Sequence, residues 1–195
     1  MRKLLTTFLI VTTLNSPILL ASSFPESVKL AMSADSRSEK DKARDQNRKP
    51  VETLEFFGIK ENMKVLELIP GGGWYSHLLA PALRDKGKYY VSIGTKRLKD
   101  SLPKQSPFDK VEFVGPESGD VSNLNFKVTD LDAILTFRNY HNFNLEDRGN
   151  INLAAFKALK FGGIYGVVDH TRRHMQKDME EKGRRVDPVL AIKGS

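Results

Sequence analysis

Residues 65–75 read VLELIPGGGWY, and this stretch decides how the chain is expected to fold. Its first five residues are apolar apart from Glu67, which is typical of a short strand buried on both faces of a sheet. The strand is followed by Pro70, Gly71, Gly72 and Gly73. Glycines let the backbone turn sharply and let a ligand approach the main chain closely. The stretch therefore predicts a strand and a turn that contacts a ligand, and a helix is expected next, over residues 74–83.

Four more apolar segments predict strands at residues 89–93, 111–114, 131–137 and 164–168. A helix is expected to begin at Pro50, and Asn144 is expected to cap another that runs to Lys160 and ends at the glycines 162–163. Strands that are apolar throughout and separated by helices favour a parallel sheet covered on both faces. The predicted fold class is therefore α/β, with a doubly wound, mostly parallel sheet and helices on both faces.

The first 23 residues have the layout of a secretory signal peptide. Arg2 and Lys3 precede an apolar run, and small residues at 21–23 offer a cleavage site. The run is broken by Pro17 and is short for a membrane span, so none is expected after cleavage. An uncleaved anchor is the alternative. Without cysteine, the chain can hold no disulfide, cysteine nucleophile or thiolate metal site, and the bacterial periplasm is its predicted location.

The chain of 195 residues is long enough for one domain, predicted at residues 50–195. Residues 24–49 are expected to form a charged helical or linker lead-in, since ten of the fifteen residues at 35–49 are charged. The signs are mixed there, and the net charge of the whole chain is only +7. Nucleic acid is therefore not an expected partner, and a nucleic-acid-binding arm is the weaker alternative.

Ligands bind such sheets at the carboxyl ends of the strands, and the fourth predicted strand ends in a dense polar cluster. Histidine is the most frequent general base in enzymes, and His141 is the predicted general base here. Arg138 and Asn139 are predicted to orient an oxygen or carboxylate of a small-molecule substrate. The alternative is that Arg138 and His141 only tie the loop backbone together.

Two other kinds of site are weaker. A dinucleotide site needs an acid after the second strand, but residues 92–94 are Ser-Ile-Gly. His170 and His174 have the spacing of two metal ligands on a helix, but no third nitrogen ligand is near, so no metal site is predicted. Asp169 and His170 are expected at the rim of the pocket instead. A glycine turn without any ligand is the remaining alternative.

Three stretches carry a resemblance to a known family: VLELIPGGGWY, LTFRNYHNF at 135–143, and ALKFGGIYGVVDH at 158–170. Over residues 44–190 the chain resembles the Rossmann-like S-adenosylmethionine-dependent methyltransferases. It is most similar to predicted bacterial members with PGGGWY and RNYH motifs and often a signal peptide. The resemblance implies a Rossmann-like fold, S-adenosylmethionine as cofactor, and methyl transfer to a small-molecule acceptor.

The resemblance also implies cofactor-binding roles for eight residues. Glu67 matches the acid that orients the cofactor loop, and Asp120 matches the acid that contacts adenine. The others are Pro70, Gly71, Gly72, Gly73, Trp74 and Tyr75. The chain departs from the family pattern at Ile69, which replaces the first glycine, and at residues 92–95, which lack a ribose-binding acid. An exported ligand-binding module without catalysis is therefore the alternative function.

The family fold normally continues after the fifth strand with a helix and an antiparallel strand pair. Residues 188–192 can at most begin that helix, so the chain is expected to be a C-terminally shortened member without the strand pair. An exposed sheet edge of this kind favours instability or pairing with a partner, and an oligomer could form through that edge.

Overall fold

The computed structural model of the chain describes residues 23–175 and 184–194. Nearly all of the predicted signal peptide lies outside the described residues. The sheet has five strands: β1 (Lys64–Leu68), β2 (Lys88–Ser92), β3 (Glu112–Phe113), β4 (Leu131–Phe137) and β5 (Leu159–Val168). All neighbours are parallel, and the spatial order is β3-β2-β1-β4-β5. The order reverses between β1 and β4, which places a ligand-binding crevice at their carboxyl ends.

Helices cover both faces of this sheet. They are α1 (Phe24–Ser33), α2 (Glu39–Lys42), α3 (Asp45–Arg48), α4 (Pro50–Phe56), α5 (Ser76–Leu83), α6 (Lys96–Ser101), α7 (Leu145–Ala158) and α8 (Pro188–Lys193). Val65 belongs to a core shared with α1, α4 and α5, whereas its neighbour Leu66 belongs to a second core shared with α7. Adjacent residues of one strand thus face opposite cores, which confirms the predicted α/β class.

The helix before the fifth strand begins as predicted and ends differently. The side chain of Asn144 accepts a hydrogen bond from the backbone N–H of Asp147 at 2.9 Å and caps α7. The helix stops at Ala158, and the glycines 162–163 lie inside β5. The prediction that they end the helix was wrong, because they serve a bulge in β5 where it pairs with β4, and Gly162 has a φ of +74° there.

The lead-in is part of the folded domain rather than a solvated linker. Phe24, Val28 and Ala31 form one buried face of α1, which packs on α4 and α5. Arg37 is only 4% exposed, and its guanidinium donates to both carboxylate oxygens of Asp45 at 2.6 and 2.8 Å. The lead-in is thus helical and charged, as expected, and ion pairs join several of its charged residues to one another.

Strand β5 is the last strand on its side of the sheet within the described part of the chain. Its residues 160–162 are exposed, and Phe161 is fully accessible to solvent. Oligomerisation through this edge stays a prediction. Within residues 23–175 and 184–194, no helix has both the length and the apolar character needed to cross a bilayer.

Candidate functional site

A cavity of about 720 Å³ opens at the carboxyl ends of β1 and β4, where the strand order reverses. It brings together most of the residues singled out in the sequence: Glu67, Pro70, Gly71, Gly72, Trp74, Tyr75, Arg138, Asn139 and His141. The lead-in supplies a wall that the sequence did not predict, through Ser38, Lys40, Asp41, Arg44 and Arg48. Two of the predicted residues, Gly73 and Asp120, do not line the cavity.

The turn after β1 keeps a glycine-like backbone at the position where the family glycine is missing. Ile69 has a φ of +53°, in the left-handed region that β-branched residues rarely adopt. Its N–H donates to Ser92 O at 2.9 Å, and this bond holds the turn against the end of β2. Such strain costs about 1–3 kcal/mol and concentrates at functional sites. The residue at this position is therefore not glycine, but its backbone has a conformation that glycine adopts readily.

Glu67 is fully buried beneath this turn. It accepts hydrogen bonds from the hydroxyls of Ser76, at 2.9 Å, and of Tyr89. Burial raises the pKa of Glu67 to about 7, although both hydrogen bonds oppose the shift. The carboxyl thereby joins β1 to the start of α5 and to β2, so Glu67 is a positioning residue for the glycine turn.

The two aromatic residues of the PGGGWY motif are structural. The indole N–H of Trp74 donates to Asp41 O at 3.0 Å, and the Arg48 guanidinium carbon lies 4.4 Å from the centre of the indole ring. Tyr75 stacks on Phe137 with ring centres 3.5 Å apart. Trp74 therefore joins the lead-in to the glycine turn, and Tyr75 joins that turn to the end of β4.

Replacing Trp74 by phenylalanine is expected to lower the free energy of unfolding by about 1–2 kcal/mol, because the ring is kept and the buried bond to Asp41 is lost. Urea denaturation measures this effect. Phe56→Leu is the control, since Phe56 is 84% exposed, and it should change the stability little. Equal stability of Trp74→Phe and the parent chain would contradict the role of this bond.

His141 forms a buried pair with Asp169. Its Nδ1 lies 2.7 Å from Asp169 Oδ1, and its backbone N–H donates to Oδ2 at 2.9 Å. The two side chains are 7% and 4% exposed. A carboxylate beside Nδ1 holds the ring proton there and leaves Nε2 as the nitrogen that can accept a proton. The sequence placed Asp169 at the pocket rim, but its role as partner of His141 emerges only from the pairing of β4 with β5.

Asn139 ties two strand ends together. Its Nδ2 donates to Ile69 O and to Phe137 O, each at 3.0 Å, so this amide nitrogen is engaged with backbone. The predicted role of Asn139 in orienting a substrate would therefore fall to its Oδ1. Arg138 differs, because its side chain is exposed and lines the cavity while its backbone N–H bonds Val168 O.

Asp120 lies away from the cavity and is engaged locally. Its Oδ1 accepts hydrogen bonds from the N–H and hydroxyl of Ser122, at 3.0 and 2.8 Å, which closes a surface turn. Gly73 packs under α6, where an added Cβ would lie 2.5 Å from Leu98 Cδ1. The structure therefore places Asp120 outside the cavity lining and gives Gly73 a packing role.

The end of β2 presents a cation to the cavity. No carboxylate from residues 92–95 is available, as the sequence shows. Arg97 lies over the glycine turn instead, with its Nη2 3.6 Å from the point where a Cβ on Gly72 would stand. Sequence reasoning missed this residue because α6 itself was not predicted.

His170 and His174 do not form a helical pair, because residues 169–175 are not helical. His174 Nδ1 lies 3.0 Å from Asp187 Oδ2, and Asp187 also caps α8. His170 lines the cavity, as expected of a rim residue. Within the described ranges 23–175 and 184–194, no group of three or more potential ligands is arranged to hold a metal ion.

No protein-family model matches the sequence, and no curated protein shows significant sequence similarity to it. Solved structures do share its architecture. A SAM-dependent methyltransferase from Aquifex aeolicus superposes with a TM-score of 0.57 at 17% identity, over 87% of this chain and 86% of that one. The chain has the Rossmann-like fold of S-adenosylmethionine-dependent methyltransferases.

Two further structures support this fold over shorter shares of their length. A cyclopropane-fatty-acyl-phospholipid synthase-like protein from Lactobacillus casei gives a TM-score of 0.55 at 11% identity, over 77% of this chain and 60% of that one. The glycopeptide N-methyltransferase MtfA gives 0.51 at 17% identity, over 67% of this chain and 56% of that one. The chain therefore spans a little over half the length of these two proteins.

Proposed function

We propose that this chain is an S-adenosylmethionine-dependent methyltransferase that acts on a small-molecule acceptor. The observation that supports the proposal best is that one cavity is lined both by the glycine turn after β1 and by His141, the buried partner of Asp169. The same cavity therefore contains a turn whose main chain a ligand can contact and a side chain that can accept a proton.

The glycine turn leaves the space that the cofactor would need. Gly71 has a φ of +58°, and a Cβ placed there would have no heavy atom within 4 Å. The residues at this end of the cavity fit the methionine part of S-adenosylmethionine, which Pro70, Gly71 and Gly72 would hold. When bound, S-adenosylmethionine supplies a methyl group that is already reactive towards nucleophiles.

The chain's own residues then have three tasks. His141 Nε2 accepts the proton of an acceptor hydroxyl or amine, and Asp169 stabilises the resulting imidazolium. The Tyr75–Phe137 stack forms an apolar wall that limits the access of water. Arg138, with its exposed side chain, orients the acceptor.

Gly71→Ala is expected to weaken adenosylhomocysteine binding by tenfold or more, because a methyl group would occupy the cavity over the turn. Gly58→Ala is the matched control, since Gly58 has a φ of +65°, has no heavy atom near its Cβ position and lies outside the cavity. Each substitution should lower the free energy of unfolding by about 1–2 kcal/mol from left-handed strain alone. Calorimetric titration of both variants, beside urea denaturation, separates the two effects. Equal affinity of both variants for adenosylhomocysteine would contradict the assignment of the turn.

An exported binding module without catalysis is the second candidate function. It is favoured by Arg97, which lies at the end of β2 where a ribose-binding carboxylate is absent. This candidate predicts that the chain binds a ligand in the cavity and produces no adenosylhomocysteine with any acceptor. Measurable turnover that His141→Ala abolishes would exclude it.

We also propose export to the bacterial periplasm, because the first 23 residues begin with basic residues, continue with an apolar run and end with small residues. Intact mass measurement of the protein recovered from a bacterial periplasmic fraction tests this proposal. Recovery of a chain that begins at Phe24 is expected. Recovery of the full-length chain only from the cytosol would contradict it.

A further inference from the structure

The cavity is strongly basic. Six cationic side chains line it: Lys40, Arg44, Arg48, Arg97, Arg138 and Arg184. The same lining contains only two carboxyl groups, those of Asp41 and Glu67. Glu67 offsets only part of this charge, because burial raises the pKa of its carboxyl to about 7. The lining is therefore electrostatically matched to a ligand with negative charge.

Most of these cations have no carboxylate partner among the residues that the structure describes. Arg44 lies 3.6 Å from Asp41 Oδ1, and this is the one ion pair within the lining. Among the residues that the structure describes, Arg48 makes no ion pair, and its Nε is buried without a hydrogen-bond partner. A cation without a carboxylate partner leaves positive charge in the cavity that an anion can neutralise.

The cations also lie close enough to repel one another. Burial lowers the pKa of Arg48, and the charges of Arg44 and Arg138 lower it further. Its guanidinium is held in place over Trp74, where it cannot move away into solvent without losing that contact. Three guanidinium groups from the lead-in and from the end of β4 thus converge on one region of the cavity.

We propose that the methyl acceptor carries an oxyanion, a carboxylate or phosphate group, which Arg44, Arg48 and Arg138 bind. Guanidinium groups match such anions through paired N–H donors, and binding would relieve the repulsion among the three cations. That the anion belongs to the acceptor rests on the proposed function. The anion site itself rests only on the cation cluster.

The anion site is tested without cofactor. Calorimetric titration of the purified chain with inorganic phosphate, and separately with malonate, at low salt is expected to show one binding site. Arg48→Gln and Arg138→Gln should each weaken binding by about tenfold. Arg84→Gln is the matched control: it removes the same charge from a half-buried arginine outside the cavity and should change affinity less than twofold. Arg138 is exposed, so its variant stays informative if Arg48→Gln unfolds. The absence of binding to the parent chain, or equal binding by Arg138→Gln, would overturn the site.

A second titration assigns the anion to the acceptor or to the cofactor. Phosphate is titrated into the chain saturated with adenosylhomocysteine, whose own carboxylate could use the same cations. Binding of phosphate that persists supports the acceptor assignment, and full competition overturns it. If adenosylhomocysteine does not bind at all, the proposed function and the acceptor assignment fail, whereas the phosphate site measured without cofactor still stands.

Discussion

Replacing His141 by alanine is expected to lower kcat for methyl transfer by about 10²- to 10⁴-fold, the usual contribution of a general base. The affinity for adenosylhomocysteine should change less than threefold, because the glycine turn is untouched. The physical reason is the pair with Asp169, which holds the ring proton on Nδ1 and leaves Nε2 to accept a proton inside the cavity. Release of adenosylhomocysteine from a panel of small carboxylate- and phosphate-bearing acceptors gives the rate.

Two variants separate catalysis from damage to the fold. Asp169→Asn keeps the size of the side chain and removes the charge that stabilises the imidazolium, so it should also lose most of the activity. His174→Ala is the control, because His174 pairs with Asp187 and does not line the cavity. Activity that survives in His141→Ala at more than one tenth of the parent rate would show that this residue is not the base.

Glu67→Gln is expected to remove a large pH dependence of stability. A carboxyl with a pKa of about 7 when folded and 4.5 when unfolded retains its proton more readily in the native state. The free energy of unfolding of the parent chain should therefore fall as pH rises from 4.5 to 7 and level off above, a loss of about 3 kcal/mol from this group. Glutamine cannot ionise, so the variant should not show this loss.

The test compares urea denaturation of the parent chain, Glu67→Gln and Glu52→Gln between pH 4.5 and 8. The stability of Glu67→Gln relative to the parent should rise across this range by about 3 kcal/mol. Glu52 is exposed on α4, so its variant should follow the parent at every pH. A constant difference between Glu67→Gln and the parent would contradict a raised pKa of the buried Glu67.

The strands could be predicted because a strand that is buried on both faces is a continuous run of apolar residues. The apolar run at residues 131–137 matches β4 at both ends, and Asn144 signals its helix through a cap that needs only neighbouring residues. The role of the glycines 162–163 was predicted wrongly, because glycine is common both at helix ends and in β-bulges. Only the pairing of β5 with β4 shows which of the two structures is present. In the lead-in, the apolar spacing of Phe24, Val28 and Ala31 was present, but the charges that follow obscured it.

The site was predictable where it depends on one segment, and less so where segments meet. The glycine turn and His141 follow from their own motifs. Asp169 becomes a partner of His141 only because β4 and β5 are neighbours. The position of Asp120 outside the cavity could not be predicted, because the sequence does not show in which direction the irregular loop after β3 runs. The basic lining comes from four separate parts of the chain, so no local pattern could show it.

A crystal structure of the chain soaked with adenosylhomocysteine tests the central claim most directly. We expect ligand density over Pro70, Gly71 and Gly72, in the cavity that also contains His141 and Asn139. Density of the ligand at any other place, or an empty cavity at a saturating ligand concentration, would contradict it.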